Sequence, residues 1–337
     1  MLPTPAAEPL PDGPRRLIID CDPGIDDAVA LLLALASPQL EILGITTVAG
    51  NVSLETTSTN ARCICELASH PEVQIFPGCP RPLVRPSVIA AQVHGENGLG
   101  GVRLAPPQMP LQPIHGVDFL RDTLRCAPAP VTLASLGPLT NLATALIQAP
   151  QIAERLELIV IMGGAVGAGN VTAAAEFNFY ADPHAAQVVL HTAADYGVPV
   201  VVIPLDVTHG AIATPARRQA LRDLNAPAGQ NPIGQTVAAM LENYGLREQQ
   251  ARGFTGPPLH DPCVIAYLLQ PDLFETEAIA ASIEIQSPLT QGRLVVDRSG
   301  ELGLLGRIHL ATAIDADGFY RLLLEHLGRY GGEPPTP

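Results

Sequence analysis

The feature that most restricts how this chain can fold is a repeated succession of two patterns. A run of consecutive apolar residues is followed by a segment in which apolar residues recur every three to four positions. Strand-like runs fall at 16–21, 41–48, 131–136, 157–163 and 199–205, with helical periodicity at 26–36, 54–69, 117–126, 139–149 and 183–194. The runs "RLELIVIMGG" and "VPVVVIPLD" are apolar throughout rather than alternating, so both faces of these strands must be covered. Strands of that kind, joined through helices, belong to a parallel sheet. The fold class expected is α/β: an open, mostly parallel, Rossmann-like sheet with helices on both faces.

Beyond residue 206 the order changes to helices at about 214–225 and 231–251, strands near 279–286 and 292–297, and a last helix at about 315–329. We expect a helical insertion and a small C-terminal strand region within one domain spanning 16–330, since neither a repeat nor a clean linker interrupts it. Residues 1–15 carry five prolines and no apolar core of the kind a signal peptide has, so they read as a disordered leader, and 331–337 as a flexible tail. The connection 77–116 is rich in Pro and Gly and unusually long for a compact domain, which suggests a lid.

The formal charge of -14 argues against binding a phosphate backbone, which needs clustered cations. The longest apolar stretch, "AVALLLALA" at 28–36, falls short of the ~20 residues that span a bilayer. Nucleic acid and membrane are therefore excluded as partners, and a cytoplasmic protein is expected. The six cysteines form no CxxC pair and no zinc-like spacing, so they read as scattered reduced thiols.

Ligands of open parallel sheets bind beyond the carboxyl ends of the strands. The residues that fall there are Asp20, Asp22, Asp26 and Asp27 after the first strand and Asn51 after the second. Asn170, Glu176, Asn178 and Asp182 follow the strand ending "IMGGA", and His260 and Asp261 come later in "PPLHDPC". Four aspartates inside "IIDCDPGIDD" repel one another, and Asp20, behind three apolar residues, has no easy route to water. A nearby helix N-terminus offsets only ~0.3–1 kcal/mol per charge. A hard divalent cation with oxygen ligands, Ca²⁺ or Mg²⁺, would neutralise the cluster, with Asp22 and Asp27 converging across the Pro23-Gly24 turn. The bland alternative is a solvated, capping-type acidic turn.

"GGAVGAGN" at 163–170 lacks GxGxxG spacing and starts no helix, so it reads as a loop that lets backbone approach a ligand rather than as a dinucleotide site. His260 stands beside a candidate ligand, which favours a functional part, and His94 in the long connection is evenly balanced. The other seven histidines, His209 among them, read as structural.

Taken together, "IIDCDPGIDDAVALLLAL", "ITTVAGN", "VHGENGLG", "SLGPLTNLATAL", "IVIMGGAVGAGNVTAAAEFNFYADPHAA", "LDVTH" and "HDPCVIAYLL" resemble the inosine-uridine preferring nucleoside hydrolases over nearly the whole chain after the leader. The resemblance implies Ca²⁺-dependent hydrolysis of the N-glycosidic bond of ribonucleosides, giving ribose and free base, in a homodimer or homotetramer. It further implies that Asp22, Asp27, Asp261 and the main-chain carbonyl of Leu136 hold the Ca²⁺. Asp26, Asn51, Asn170, Glu176 and Asn178 would bind the ribose, with Met162 lining the same pocket, and His94, Phe177 and His260 would surround the base. Tyr244 would supply an aromatic group beside the base. The chain contains no Trp, which disfavours tryptophan stacking on a purine and favours a pyrimidine-preferring or non-specific enzyme.

The chemistry of the residues agrees. Riboside cleavage needs a stabilised oxocarbenium-like sugar, an activated water on the face opposite the base, and help for the departing base. Asp22 is cast as general base and His260 as general acid, with the cation orienting water and hydroxyls. Carboxylates and amides suit a neutral polyol that becomes cationic, and would repel a phosphate. Two other readings compete. A haloacid-dehalogenase-like phosphotransferase would want a phosphate-holding Lys, of which the chain has none. A non-catalytic nucleoside- or ribose-binding protein would be expected to lack the water-activating carboxylate, yet Asp22 is present.

Overall fold

In the computed structural model, which describes residues 13–224, 232–244, 246, 250, 252–301, 303 and 306–331, the apolar runs become the middle of a single sheet. Its strands are β1 (Arg15–Cys21), β2 (Leu40–Thr47), β3 (Ile75–Pro77), β4 (Val131–Ser135), β5 (Leu156–Met162), β6 (Val200–Ile203), β7 (Phe274–Ile283), β8 (Leu294–Asp297) and β9 (Gly306–Ile314). They lie in the order β3-β2-β1-β4-β5-β6-β9-β7-β8. The first six strands and β9 are mutually parallel, and β7 runs antiparallel to both β9 and β8.

Alternate side chains of each central strand enter different cores. Leu17 and Ile19 of β1 join a cluster with Leu31, Ile64 and Val264, while Ile18 joins Leu133, Leu142 and Val189 on the other face. The first face is covered by α1 (Ile25–Leu35), α2 (Leu54–Leu67), α10 (Pro232–Asn243), α11 (Pro262–Leu269) and α12 (Ala316–Gly328), and the second by α4 (Gly116–Cys126), α5 (Thr140–Gln148) and α7 (Pro183–Tyr196). Helix α1 is apolar nearly all round and buried along its whole length, packed between α2 and α11. Each fully buried Leu or Val there contributes about 1.5–3 kcal/mol. The remaining helices are α3 (Ala91–His94), α6 (Phe177–Ala181), α8 (Leu205–Thr208) and α9 (Pro215–Arg222).

Local chemistry sets the helix ends. Asp182 caps α7 by accepting from Ala185 N–H, Pro183 fills the first turn, and Gly197 closes the helix in the left-handed conformation at φ 68°. The strand order reverses at β1, whose two neighbours are β2 and β4, and a crevice opens at that switch point.

Several expectations are corrected. Residue Arg15, assigned to the leader, is the first residue of β1, because its guanidinium pairs with Glu157 at 3.0 Å and donates to Thr132. The remainder of that leader up to residue 12, and the tail from 332, lie outside the described residues. The expected C-terminal strand region is present and extends the main sheet. Strand β9, unanticipated because glycines surround it in sequence, inserts between β6 and β7. The strand expected at 279–286 begins earlier, at Phe274, and β3, α6 and α8 are too short to carry a periodic signal. Of the helix expected at 231–251, residues 232–243 are α10; residues 231, 245, 247–249 and 251 lie outside the described set. The 77–116 connection is stitched down along its length. Arg62 donates to the carbonyl of Met109, Leu83 N–H to Asp182, and Asn60 to the carbonyl of Asn97.

Candidate active site

At the switch point β1 runs out at Cys21, and the next residue, Asp22, is fully buried. Its carboxylate sits between two glycines. A Cβ at Gly50 would stand 2.1 Å from Asp22 Oδ2, and one at Gly137 would stand 2.3 Å from Oδ1. Only bare backbone can approach so closely. Oδ2 accepts a 2.6 Å bond from Asn51 N–H, whereas Oδ1 is buried with no partner among the described residues. Asp27, in the first turn of α1, accepts from the N–H groups of Asp22 (3.1 Å) and Gly24 (2.9 Å) and from Asn51 Nδ2 (3.0 Å). The Pro23-Gly24 turn thus folds β1 back so that Asp27 braces the backbone of Asp22.

Asp261, at the start of α11, meets this group from the opposite side. Ligand atoms of Asp26, Asp27 and Asp261 lie within 4.8 Å of one another, and all three side chains are buried. Of the four metal ligands that the resemblance implies, the structure therefore brings Asp27 and Asp261 together. It adds Asp26, which was expected to bind ribose, and leaves Asp22 outside that triplet. Burial pushes the carboxyls of Asp22, Asp27 and Asp261 upward, the negative charge of Asp27 adds to the rise at Asp22, and a hydrogen bond between Asp27 and Asp261 lowers the former while raising the latter. Burial and mutual repulsion thus disfavour the charged forms of these carboxyls unless a positive partner joins them. The donor set is all oxygen, the buried Asp22 Oδ1 is orphaned among the described residues, and the like charges need neutralising; the site fits a hard divalent cation.

Above these carboxylates lies a cavity of about 460 Å³. Asp26, Asn51, Leu136, Met162, Asn170, Glu176, Phe177, Asn178, Asp261, His94, Tyr244 and His260 all line it, so every expected substrate-binding residue reaches one space. Asp22 and Asp27 lie beneath it, absent from its lining. Glu176 caps α6, accepting from the N–H groups of Gly164 (2.8 Å), Asn178 (2.8 Å) and Phe179 (3.2 Å), and burial raises its carboxyl to about 7. Asn178 Nδ2 donates to the carbonyls of Leu136 (2.7 Å) and Met162 (3.1 Å), which ties together the ends of β4 and β5. The Leu136 carbonyl, implied as a metal ligand, is thus already engaged through one lone pair.

The other wall carries rings. The short helix α3 places His94 with its ring 5.5 Å from that of Tyr244. Its Nδ1 accepts from Ile25 N–H at 3.2 Å, and burial lowers its pKa to about 4. Gly24 leaves room for that ring, because a Cβ there would lie 2.5 Å from His94 Nδ1. His260 is held well below the usual histidine range by burial first, then by the nearby charges of His209, His94 and Arg252. His209, read from sequence as structural, packs its ring 5.8 Å from that of His260 and 5.2 Å from that of Phe254.

Two expected rim carboxylates take other work. Asp20 sits below the cavity, accepting from Thr46 Oγ1 (2.6 Å) and Asn141 Nδ2 (2.7 Å), and burial raises it to about 7. Asp182 binds Leu83 N–H and Thr140 Oγ1 and anchors the long connection. Sequence reasoning missed Gln92, Val93, Leu246 and Arg252, which also line the cavity. Of these, Arg252 alone carried a signal, as an isolated cation eight residues before His260.

Comparison with known proteins places the chain in a family. A pyrimidine-specific ribonucleoside hydrolase RihA from Salmonella paratyphi C is 42% identical over 315 residues, 93% of this chain and 98% of its own. An uncharacterised protein of Schizosaccharomyces pombe is 44% identical over 317 residues, 93% of this chain and 99% of its own. Among solved structures, a purine-preferring ribonucleoside hydrolase from Gardnerella vaginalis superposes with a TM-score of 0.85 at 32% identity, covering 94% of this chain and 99% of its own. The model of the inosine-uridine preferring nucleoside hydrolases matches residues 17–321, and this chain belongs to that family.

Proposed function

We propose that the protein hydrolyses the N-glycosidic bond of ribonucleosides, giving ribose and free base, with Ca²⁺ as its cofactor. The observation that carries this reading is the juxtaposition of a buried aspartate cluster with a cavity walled by amides and carboxylates on one side and rings on the other. Asp26, Asp27 and Asp261, with Asp22 and the Leu136 carbonyl beside them, are the residues that would hold the cation. When bound, it would supply Lewis acidity toward a water and the sugar hydroxyls.

The protein's own groups perform the rest. Asp22, kept in place by Asn51 N–H and walled by Gly50 and Gly137, takes a proton from the attacking water. Asn51, Asn170, Glu176 and Asn178 bind the ribose hydroxyls, and Glu176 opposes the positive charge that develops on the sugar. His94, Phe177, Tyr244 and His260 enclose the base, and His260 assists its departure. The pyrimidine specificity named for the 42%-identical relative and the absence of Trp favour a pyrimidine-preferring or non-specific enzyme. Six unpaired cysteines suit the reducing cytoplasm, and a homodimer or homotetramer is the expected assembly.

The test is release of reducing sugar from uridine, cytidine, inosine and adenosine, with and without a chelator. No ribose from any of the four would sink the hydrolase reading, and turnover undiminished after complete metal removal would sink the cofactor. An Asp22→Ala protein should lose turnover while remaining folded; retained activity would remove Asp22 as base.

A further inference from the structure

Thr208 ends the short helix α8, within the "LDVTH" segment, and was given no part in the site by the sequence reading. Its side chain is fully buried, and its Oγ1 lies 2.7 Å from His260 Nδ1. Among the described residues that ring nitrogen is the hydroxyl's sole partner, while His260 Nε2 has none and the ring lines the cavity. A hydroxyl has one proton to give and two lone pairs to offer. Had Thr208 accepted from an Nδ1–H, its own proton would be sealed in the interior with no acceptor, an arrangement native proteins avoid. Donation to Nδ1 satisfies both groups.

We propose that Thr208 donates to Nδ1 and so fixes His260 as the tautomer that carries its proton on Nε2. Thr208 is then a positioning residue for the departing base. This rests on the cavity being the nucleoside site, and it changes how His260 helps. With Nδ1 engaged as an acceptor, His260 offers the base an N–H donor rather than a mobile proton, since passing that proton on would leave an imidazolate. As the bond from the sugar to the base nitrogen breaks, its electron pair stays with the base, whose developing negative charge accepts a hydrogen bond from Nε2–H. The water oxygen bonds to the anomeric carbon, its proton goes to Asp22, and the released base takes up a proton from solvent as Asp22 gives one back. A hydrogen-bond donor at this position favours bases that leave as stabilised anions, with a carbonyl oxygen beside the nitrogen that departs, and this is the chemistry of pyrimidines.

The tautomer is read directly by two-bond ¹H–¹⁵N correlation on protein labelled at histidine, with the His260 signals identified by their loss in His260→Gln. The wild-type protein should give the Nε2–H pattern for His260. Thr208→Val, which is nearly isosteric and removes the hydroxyl, should shift it toward a mixed or Nδ1–H pattern and lower kcat at least tenfold with little change in KM. Thr208→Ser should restore the wild-type pattern and most of kcat. An Nδ1–H pattern in the wild type, or an unchanged pattern in Thr208→Val, overturns the inference. If Thr208→Val does not fold, the wild-type and Thr208→Ser spectra still decide it. The spectra are read without substrate, so a protein that cleaves no nucleoside yet shows the Nε2–H pattern would fail the hydrolase reading and keep the tautomer.

Discussion

Replacing Gly137 with alanine tests whether the position of the Asp22 carboxylate is what the site is built around. The added Cβ would stand 2.3 Å from Asp22 Oδ1 where about 3.0 Å is the closest real approach, so the carboxylate must retreat by about 0.7 Å. It has nowhere to go, because Gly50 backbone lies against the other oxygen and Asn51 N–H holds it at 2.6 Å. Either the loop carrying Leu136 moves or that bond breaks. Overpacking of this kind costs about 1–3 kcal/mol, and losing a hydrogen bond to a charged group about 1.5–3 kcal/mol. The two are alternatives in part, so a loss of about 2–4 kcal/mol is expected in urea denaturation. The chemistry should suffer more visibly, since a displacement approaching 1 Å in a reacting group costs about a hundredfold in rate. Gly50→Ala should act alike from the opposite side. A Gly137→Ala protein with kcat within twofold of wild type and an unchanged denaturation midpoint would show that the glycine pair does not set the base.

Three other outcomes follow from the same geometry. In metal-free protein, Asp20 and Glu176 have folded-state pKa values of about 7, above their unfolded values near 4. The folded state therefore binds more protons, and stability should rise by on the order of 1 kcal/mol per group as pH falls from 8 to 6.5. Below 6.5 the unfolded chain gains protons at His94 and His209, whose folded values are near 4, and these two imidazoles offset the two carboxyls, so the slope should level off; a monotonic fall in stability from pH 8 downward, measured by urea titration, would refute this. Ca²⁺ at a hundred times its Kd should stabilise the protein by about 2.7 kcal/mol, roughly 5 °C in Tm, and the gain should shrink on acidification because protons compete for Asp27 and Asp261; a gain independent of pH would place the cation elsewhere. Glu176→Gln keeps one acceptor oxygen for three backbone N–H groups, so it should loosen the start of α6 by about 1–3 kcal/mol and lower kcat/KM by about tenfold or more; wild-type kinetics would remove Glu176 from the site.

The sequence by itself determined the parallel sheet, because strands buried on both faces must be apolar without alternation and helices between them must be periodic. It also determined the crowding of carboxylates, since Asp20, Asp22, Asp26 and Asp27 are neighbours along the chain and a strand end followed by a tight Pro-Gly turn gives them no way to separate. Contacts between distant segments were another matter. Which aspartates face one another depended on how α11 carries Asp261 over α1, and that selected Asp26 rather than Asp22 as the third member of the triplet. The insertion of β9 between β6 and β7 was set by pairing across the sheet, which leaves no local periodicity to read. Thr208 meets His260 across 52 residues of chain, and Gly50 and Gly137 close on Asp22 from two different loops. Such partners are chosen by packing, whose energy is a property of the assembled layers, so no single stretch of residues carries the signal.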